Sequence, residues 1–290
     1  MYLDRSGREA GELLIVGPLG TEAKGLPFLD VGPWDGTERG AGAVTVEAIR
    51  AAVSLGKEGR IHAIVTGPAH KPALHAAGFD FPGQTELLQD LTGTRTVGML
   101  MCAEKTDLGP PLRVLLATTH LPLRDLFGVM SLDLLLDQMH LLDGELRRGW
   151  GIDTPRIGLC AMNPHASDGG LFGDEEERIL EPTVKRARAE GLDVAGPIPA
   201  DTVFRRTING EFDAAIAPYH DVGMAAFKTV CFGGGVNTTL GLPLPRTSPD
   251  HGTAFDLAGT GKANPTSTLE AIELAARLAR SRFDRARTPR

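Results

Sequence analysis

Apolar positions along this chain alternate between two patterns. Short unbroken runs at residues 61–65, 114–117, 157–162 and 214–217 each lead into a turn. They lack the every-second-residue alternation of a half-exposed strand, so they suit parallel strands covered on both faces. Between the runs, apolar residues recur at three- and four-residue intervals. Leu132, Leu135, Leu136, Met139, Leu142 and Leu146 predict a helix capped by Ser131 and reaching about Trp150. A second helix is predicted from near Asp174. Glu175, Glu176 and Glu177 suit its positive end, Lys185, Arg186 and Arg188 its negative end, and Gly191 its stop, with Pro182 kinking it or delaying its start. A third is predicted from about Thr268 to Arg282, with Ala271, Ile272, Leu274, Ala275 and Leu278 inward and an Arg-rich solvated tail beyond. Strands alternating with helices indicate an α/β fold with a mainly parallel sheet.

Composition narrows the function more than the fold. At 290 residues, 42% apolar and 23% charged, the chain can bury a large core as one big domain or two lobes. No internal repeat or long linker divides it. Aromatics are 5% of the chain and the formal charge is −7 with no basic block, so nucleic acid is not an expected partner. A small anionic substrate would need local cations acting against that overall charge. Cys102, Cys160 and Cys231 stand singly, giving neither a disulfide framework nor a Cys-x-x-Cys zinc site. Residues 1–17 lack the pattern of a secretory signal, and no run nears the roughly 20 apolar residues of a membrane span. A cytoplasmic location is expected.

The histidines carry the chemistry. His120 ends Val-Leu-Leu-Ala-Thr-Thr-His, His165 ends Ile-Gly-Leu-Cys-Ala-Met-Asn-Pro-His, and His220 ends Ala-Ala-Ile-Ala-Pro-Tyr-His. One histidine at a strand end is commonly a hydrogen-bonded turn residue. Three in the same context, at the carboxyl ends where open α/β sheets gather ligands, point to a shared site. Three neutral imidazoles suit a borderline divalent ion with positions left open for substrate. His62 early in a strand, and His75 and His140 on helices, read as structural or surface residues. His70 follows a strand end and borders the site without being read as a ligand.

Several stretches together resemble the 4-hydroxythreonine-4-phosphate dehydrogenase family. They are residues 66–71 (Thr-Gly-Pro-Ala-His-Lys), 118–123 (Thr-Thr-His-Leu-Pro-Leu), 163–173 (Asn-Pro-His-Ala-Ser-Asp-Gly-Gly-Leu-Phe-Gly), 196–204 (Gly-Pro-Ile-Pro-Ala-Asp-Thr-Val-Phe) and 219–221 (Tyr-His-Asp), then 235–243 and 246–254. The resemblance runs from about residue 60 to the end. It implies an α/β fold of two lobes with mainly parallel sheets and flanking helices, like isocitrate and isopropylmalate dehydrogenases. Residues 1–95 plus 236–290 would form a cofactor-side lobe, and 96–235 a metal and substrate lobe. It also implies oxidation and decarboxylation of 4-phosphohydroxy-L-threonine in pyridoxal phosphate synthesis, by a homodimer using NAD or NADP and a divalent metal (Zn, Mg, Mn or Co).

Carried over residue by residue, the family's metal ligands fall on His120, His165 and His220, and its substrate contacts on Lys228, Asn237 and Arg246. Lys228 and Arg246 can offset a phosphate and a carboxylate. The segment His251-Gly252-Thr253-Ala254 with Asn264 is similar to the dinucleotide loop of isocitrate and isopropylmalate dehydrogenases, and no G-x-G-x-x-G fingerprint is present. Asp250 or a metal-bound water is the candidate base, Lys228 a further catalytic candidate, and Asp221 an orienting partner for His220.

Two departures limit the transfer. Gln84-Thr85 stands where the family carries His-Thr, and a glutamine cannot become a cation. The family's opening strand and its Gly-Glu-Pro-x-Gly-Ile-Gly-Pro turn have no match here. Three alternatives therefore stay open. One is a sister dehydrogenase for phosphorylated threonate or erythronate, or for a ring diol carboxylate. The others are a metal-dependent hydrolase and a non-catalytic relative.

Overall fold

Short buried strands and amphipathic helices do alternate along the chain. A computed structural model describes residues 2–3, 9–21, 23–231 and 233–287. Residues 1 and 4–8 of the segment read for a leader, and residues 288–290 of the Arg-rich tail, lie outside them.

The strands are β1 (Tyr2–Leu3), β2 (Glu9–Gly11), β3 (Ile15–Leu19), β4 (Phe28–Pro33), β5 (Ile64–Val65), β6 (Gly98–Ala103), β7 (Leu112–Leu116), β8 (Arg156–Cys160), β9 (Asp193–Ile198), β10 (Ala214–Ala217), β11 (Val236–Leu240) and β12 (Arg246–Pro249). The helices are α1 (Glu38–Lys57), α2 (Lys71–Ala76), α3 (Gln84–Thr92), α4 (Leu123–Val129), α5 (Leu132–Trp150), α6 (Glu181–Ala189), α7 (Ala200–Ile208), α8 (His220–Val230) and α9 (Thr266–Arg287). They fall into two compact units, Met1–Arg95 with Leu242–Arg280, and Thr96–Gly241 with Ser281–Arg290.

In the first unit β3 runs parallel to β4, and β12 parallel to β5. Its core gathers Val46, Ile49 and Val53 of α1 with Leu74, Leu87, Leu88, Ala271, Leu274 and Leu278. Helices α1 and α2 pack backbone to backbone at Gly42, where an added Cβ would lie 1.9 Å from the Ala73 carbonyl oxygen. Only glycine fits there.

In the second unit the strand order is β11-β6-β7-β10-β8-β9. Strands β7, β10, β8 and β9 are parallel neighbours, whereas β6 runs antiparallel to both β11 and β7. The sheet is therefore mixed. The link from β6 to β7, residues 104–111, is shorter than the dozen or more residues of a parallel crossover, so that pair must reverse.

Helix α5 forms as its pattern predicts. The Ser131 hydroxyl accepts from the Leu134 N–H at 3.2 Å, and Gly151 closes the helix with φ 74°. Leu135, Leu136, Met139, Leu142 and Leu146 are buried, each contributing roughly 1.5–3 kcal/mol. Helix α9 continues to Arg287, past the expected end at Arg282. All three cysteines are buried and none forms a disulfide; burial pushes the Cys160 thiol up to about 12. Among the described residues no helix is long and apolar enough to cross a membrane.

Candidate active-site residues

Strands β7, β10 and β8 lie side by side and run the same way, and a predicted metal-ligand histidine follows each. His120 comes after β7, His220 opens α8 just after β10, and His165 lies in the turn after β8. The His120 and His220 rings stand 5.5 Å apart between centroids. Asp221 Oδ1 lies 2.8 Å from His220 Nδ1, so the Asp221 carboxylate accepts the Nδ1 proton and leaves Nε2 as the imidazole's donor. His165 is exposed. Among the described residues no three His, Cys, Asp or Glu side chains cluster as an ion would require, so His165 is not drawn in with the other two. The donor set nevertheless fits a divalent ion. Two imidazoles are already paired, one is held in the ligating tautomer, and the third histidine follows the adjacent strand.

The turn bearing His165 is unusual. His165, Ala166, Ser167 and Asp168 all have positive φ, between 45° and 66°, and Gly169 and Gly170 follow at 71° and 91°. Four successive non-glycine residues in this region cost about 1–2 kcal/mol each. Glu176 compensates. Its side chain is 1% exposed and accepts from the Met162 N–H at 2.8 Å, the Asn163 N–H at 2.7 Å, Asn163 Nδ2 at 2.8 Å and the Ser167 hydroxyl. Burial pushes its carboxyl up, but these hydrogen bonds outweigh burial and hold it below the ordinary value of 4.5. Asn163 Nδ2 also donates to Glu175 Oε2 at 2.7 Å.

The sequence predicted a helix from near Asp174 with Glu175, Glu176 and Glu177 at its positive end, and helical structure does begin there. Residues 176–180 form a π-helical turn ahead of α6, which rotates Glu176 inward and absorbs Pro182 at the start of α6.

Lys228 sits in the last turn of α8. Asn237, on β11, has its Oδ1 buried without a hydrogen-bond partner among the described residues. A buried acceptor left open is what a ligand donor would satisfy.

In the first unit Arg246 is 4% exposed at the start of β12. Its Nη2 donates to Thr66 Oγ1 at 2.6 Å and to Gln84 Oε1 at 3.1 Å, its Nε to Thr66 Oγ1 at 3.2 Å, and its Nη1 approaches Thr85 Oγ1 at 3.5 Å. Burial pulls the guanidinium down to about 10, with Glu86 opposing, so it stays charged at neutral pH. Gln84 and Thr85 open α3, where the helix N-terminus favours an anion. Sequence reasoning singled out Arg246, Gln84 and Thr85 but not Thr66. Its position directly after a buried strand, before Gly-Pro, was the available signal.

Asp250 follows β12. Its N–H donates to Ser267 Oγ at 3.1 Å, and Ser267 Oγ donates to Asp250 Oδ1 at 3.3 Å. His251, Gly252, Ala254 and Asn264 are exposed and Thr253 is half-buried; Ala254 has φ 44°. Asn264 Oδ1 accepts the Thr266 N–H at 3.0 Å and so caps α9, leaving its amide nitrogen outward.

The other histidines fall elsewhere. His62 is exposed and precedes β5, where the sequence put it inside a strand. His75 pairs with Asp80 at 3.3 Å and His140 with Glu190 at 2.5 Å. His70 occupies the N-cap position of α2 without a side-chain capping bond and meets the Phe255 ring edge-on at 5.1 Å.

The family described as pyridoxal phosphate biosynthetic protein PdxA matches residues 20–275, so the likeness starts well before residue 60. A 4-hydroxythreonine-4-phosphate dehydrogenase of Chromobacterium violaceum is 44% identical over 82% of this chain and 71% of its own. A D-threonate 4-phosphate dehydrogenase of Pectobacterium atrosepticum is likewise 44% identical, over the same shares of each chain. The crystal structure of 4-hydroxythreonine-4-phosphate dehydrogenase from Klebsiella pneumoniae superposes with a TM-score of 0.80 at 40% identity, covering 92% of this chain and 82% of that one. A β-decarboxylating dehydrogenase of Thermococcus kodakarensis, 13% identical with a TM-score of 0.53 and covering 86% and 72%, shares the fold alone.

Proposed function

This chain belongs to the PdxA family of pyridoxal phosphate biosynthetic proteins, and from that membership we propose that it oxidises and decarboxylates 4-phosphohydroxy-L-threonine, with NAD or NADP and a divalent metal. The observation that carries the reading is the run of neighbouring parallel strands β7, β10 and β8, each followed by one of His120, His220 and His165. A cytoplasmic homodimer belongs to the same proposal, supported by the family resemblance and by three buried cysteines that form no disulfide.

His120, His165 and His220 would hold the ion, with Asp221 keeping His220 in the ligating tautomer. Bound there, a divalent ion such as Zn, Mg, Mn or Co lowers the pKa of the substrate alcohol and stabilises charge developing on its oxygen. Arg246, steadied by Thr66, Thr85 and Gln84, grips an oxyanion of the substrate with its fixed fork of donors. Lys228 offsets a second anionic group, and Asn237 Oδ1 accepts a substrate N–H or O–H. Asp250, held by Ser267, takes the hydroxyl proton. The segment from His251 to Ala254, with Asn264, would hold the dinucleotide, whose chemistry is to accept the hydride. The β-keto acid so formed loses CO2.

Purified protein should form NADH from 4-phosphohydroxy-L-threonine, and a chelator should stop it. Turnover that survives both chelation and His165→Ala would end the reading. A second reading has its own support. Gln84 presents a neutral amide beside Arg246, and a D-threonate 4-phosphate dehydrogenase is as similar as the first-named relative. Preference for phosphorylated threonate in the same assay would select it.

A further inference from the structure

We propose that Glu176 is a positioning residue for the metal site, holding the left-handed turn that carries His165. The inference rests on the reading of His165 as a metal ligand and extends it to a residue that touches neither metal nor substrate.

Three features converge on Glu176. The first is the turn itself, since an unaided chain seldom holds four successive non-glycine residues at positive φ. Strain of this kind persists only where the surroundings over-determine it. The second is the shape of the hydrogen-bond cage. Glu176 Oε1 takes the N–H groups of Met162 and Asn163, on the entry side of the turn, and Oε2 takes Asn163 Nδ2 and the Ser167 hydroxyl. One carboxylate thus clamps residues on both sides of His165. The third is room. At Gly173, with φ 134°, an added Cβ would lie 2.6 Å from both Asn163 Nδ2 and Glu175 Oε2, so the returning chain closes over the cage.

Glu175 shares only the Asn163 side chain, accepting from its Nδ2 at 2.7 Å on the entry side of the turn. The backbone bonds inside it, Ala166 N–H to the Asn163 carbonyl at 3.2 Å and Gly170 N–H to the Ser167 carbonyl at 3.1 Å, are local and tie the turn to nothing outside. Glu176 ties it to the π-helical turn ahead of α6, which is anchored by the buried Ile179 and Leu180. With the backbone held, His165 retains only its side-chain torsions.

The experiment compares cobalt(II) binding by wild type, Glu176→Gln, Ser167→Ala and His165→Ala, through calorimetry and the visible spectrum of the bound ion, alongside melting curves of the metal-free proteins. Glutamine keeps an acceptor for the Met162 and Asn163 N–H groups but sets an N–H2 against Asn163 Nδ2. Glu176→Gln and Ser167→Ala should each weaken cobalt binding about 10- to 100-fold, in proteins still folded at the assay temperature. Wild-type affinity in both variants, with binding lost in His165→Ala, would overturn the proposal and leave the metal-site reading standing. A lowered melting temperature with unchanged affinity would make Glu176 a folding residue and also overturn it. Wild-type affinity in His165→Ala would instead remove His165 from the ligands, and the proposal with it. Should Glu176→Gln fail to fold, Ser167→Ala decides.

Discussion

The His120 and His220 rings stand 5.5 Å apart because the sheet puts them there. Their strands, β7 and β10, are adjacent and parallel, with Ala217 paired to Leu116, and neighbouring strands lie about 4.8 Å apart. The ring separation is close to that spacing. A pair preset by the sheet needs little reorganisation to share an ion.

Asp221→Asn should weaken divalent-metal affinity about 10- to 100-fold, because an asparagine no longer fixes the Nδ1 tautomer as a carboxylate does. His220→Ala, which deletes the ligand itself, should cost more. His75→Ala, on an exposed helix beside Asp80, should leave affinity unchanged. Calorimetric titration with zinc or cobalt orders the three. Equal affinity in Asp221→Asn and wild type would remove Asp221 from its orienting role.

Arg246 places several donors on Thr66, Gln84 and Thr85 at once. A lysine keeps the charge but loses the planar fork. Arg246→Lys should raise KM for the anionic substrate about 10-fold or more, the scale of one charge-assisted hydrogen bond of roughly 2 kcal/mol. Steady-state kinetics test this, and an unchanged KM would mean that Arg246 serves the fold and not the ligand.

Gln84 does not titrate, so it adds no pH dependence of its own to wild-type substrate binding. Gln84→His introduces a group with an ordinary pKa of about 6.5. Its KM for a phosphorylated substrate should fall as the pH drops below that value, since the imidazolium adds a cation beside Arg246. Parallel KM profiles for the two proteins would show that this side chain does not face the anion.

The Glu176 carboxyl sits below its ordinary value because its hydrogen bonds outweigh the upward push of burial. Its folded pKa is therefore lower than its unfolded one. The stability it contributes is present in full above about pH 4.5 and is lost as the pH falls through the folded value. Metal-free wild type should melt several degrees above Glu176→Gln near pH 7, and the gap should narrow as the medium is acidified below about pH 4.5. A gap of constant size down to the acid limb would contradict this account of the carboxylate.

Much of this was readable in the residues. Unbroken apolar runs found β7, β8 and β10, and the stripe from Leu132 to Leu146 with Ser131 found α5, because burial and capping are local in sequence. The reversal of β6 escaped because a covered strand has the same pattern whichever way its neighbour runs. Glu176 escaped for a different reason. Three glutamates before a basic segment look like a solvated helix start, and only the π-helical turn sends the middle one inward. Thr66 was quoted in a motif but not given a role, since its partner Arg246 is remote in sequence.

That remoteness, 180 residues from Thr66 to Arg246, also bears on how the protein is born. All of residues 96–241 must leave the ribosome before Arg246 does. His120, His165 and His220 are therefore synthesised, and free to assemble with β7, β8 and β10, while the guanidinium that completes the anion corner does not yet exist. A chain ending before β12 keeps the three imidazoles and lacks Arg246. On the proposed reading, such prematurely terminated copies would bind metal without gripping the substrate anion.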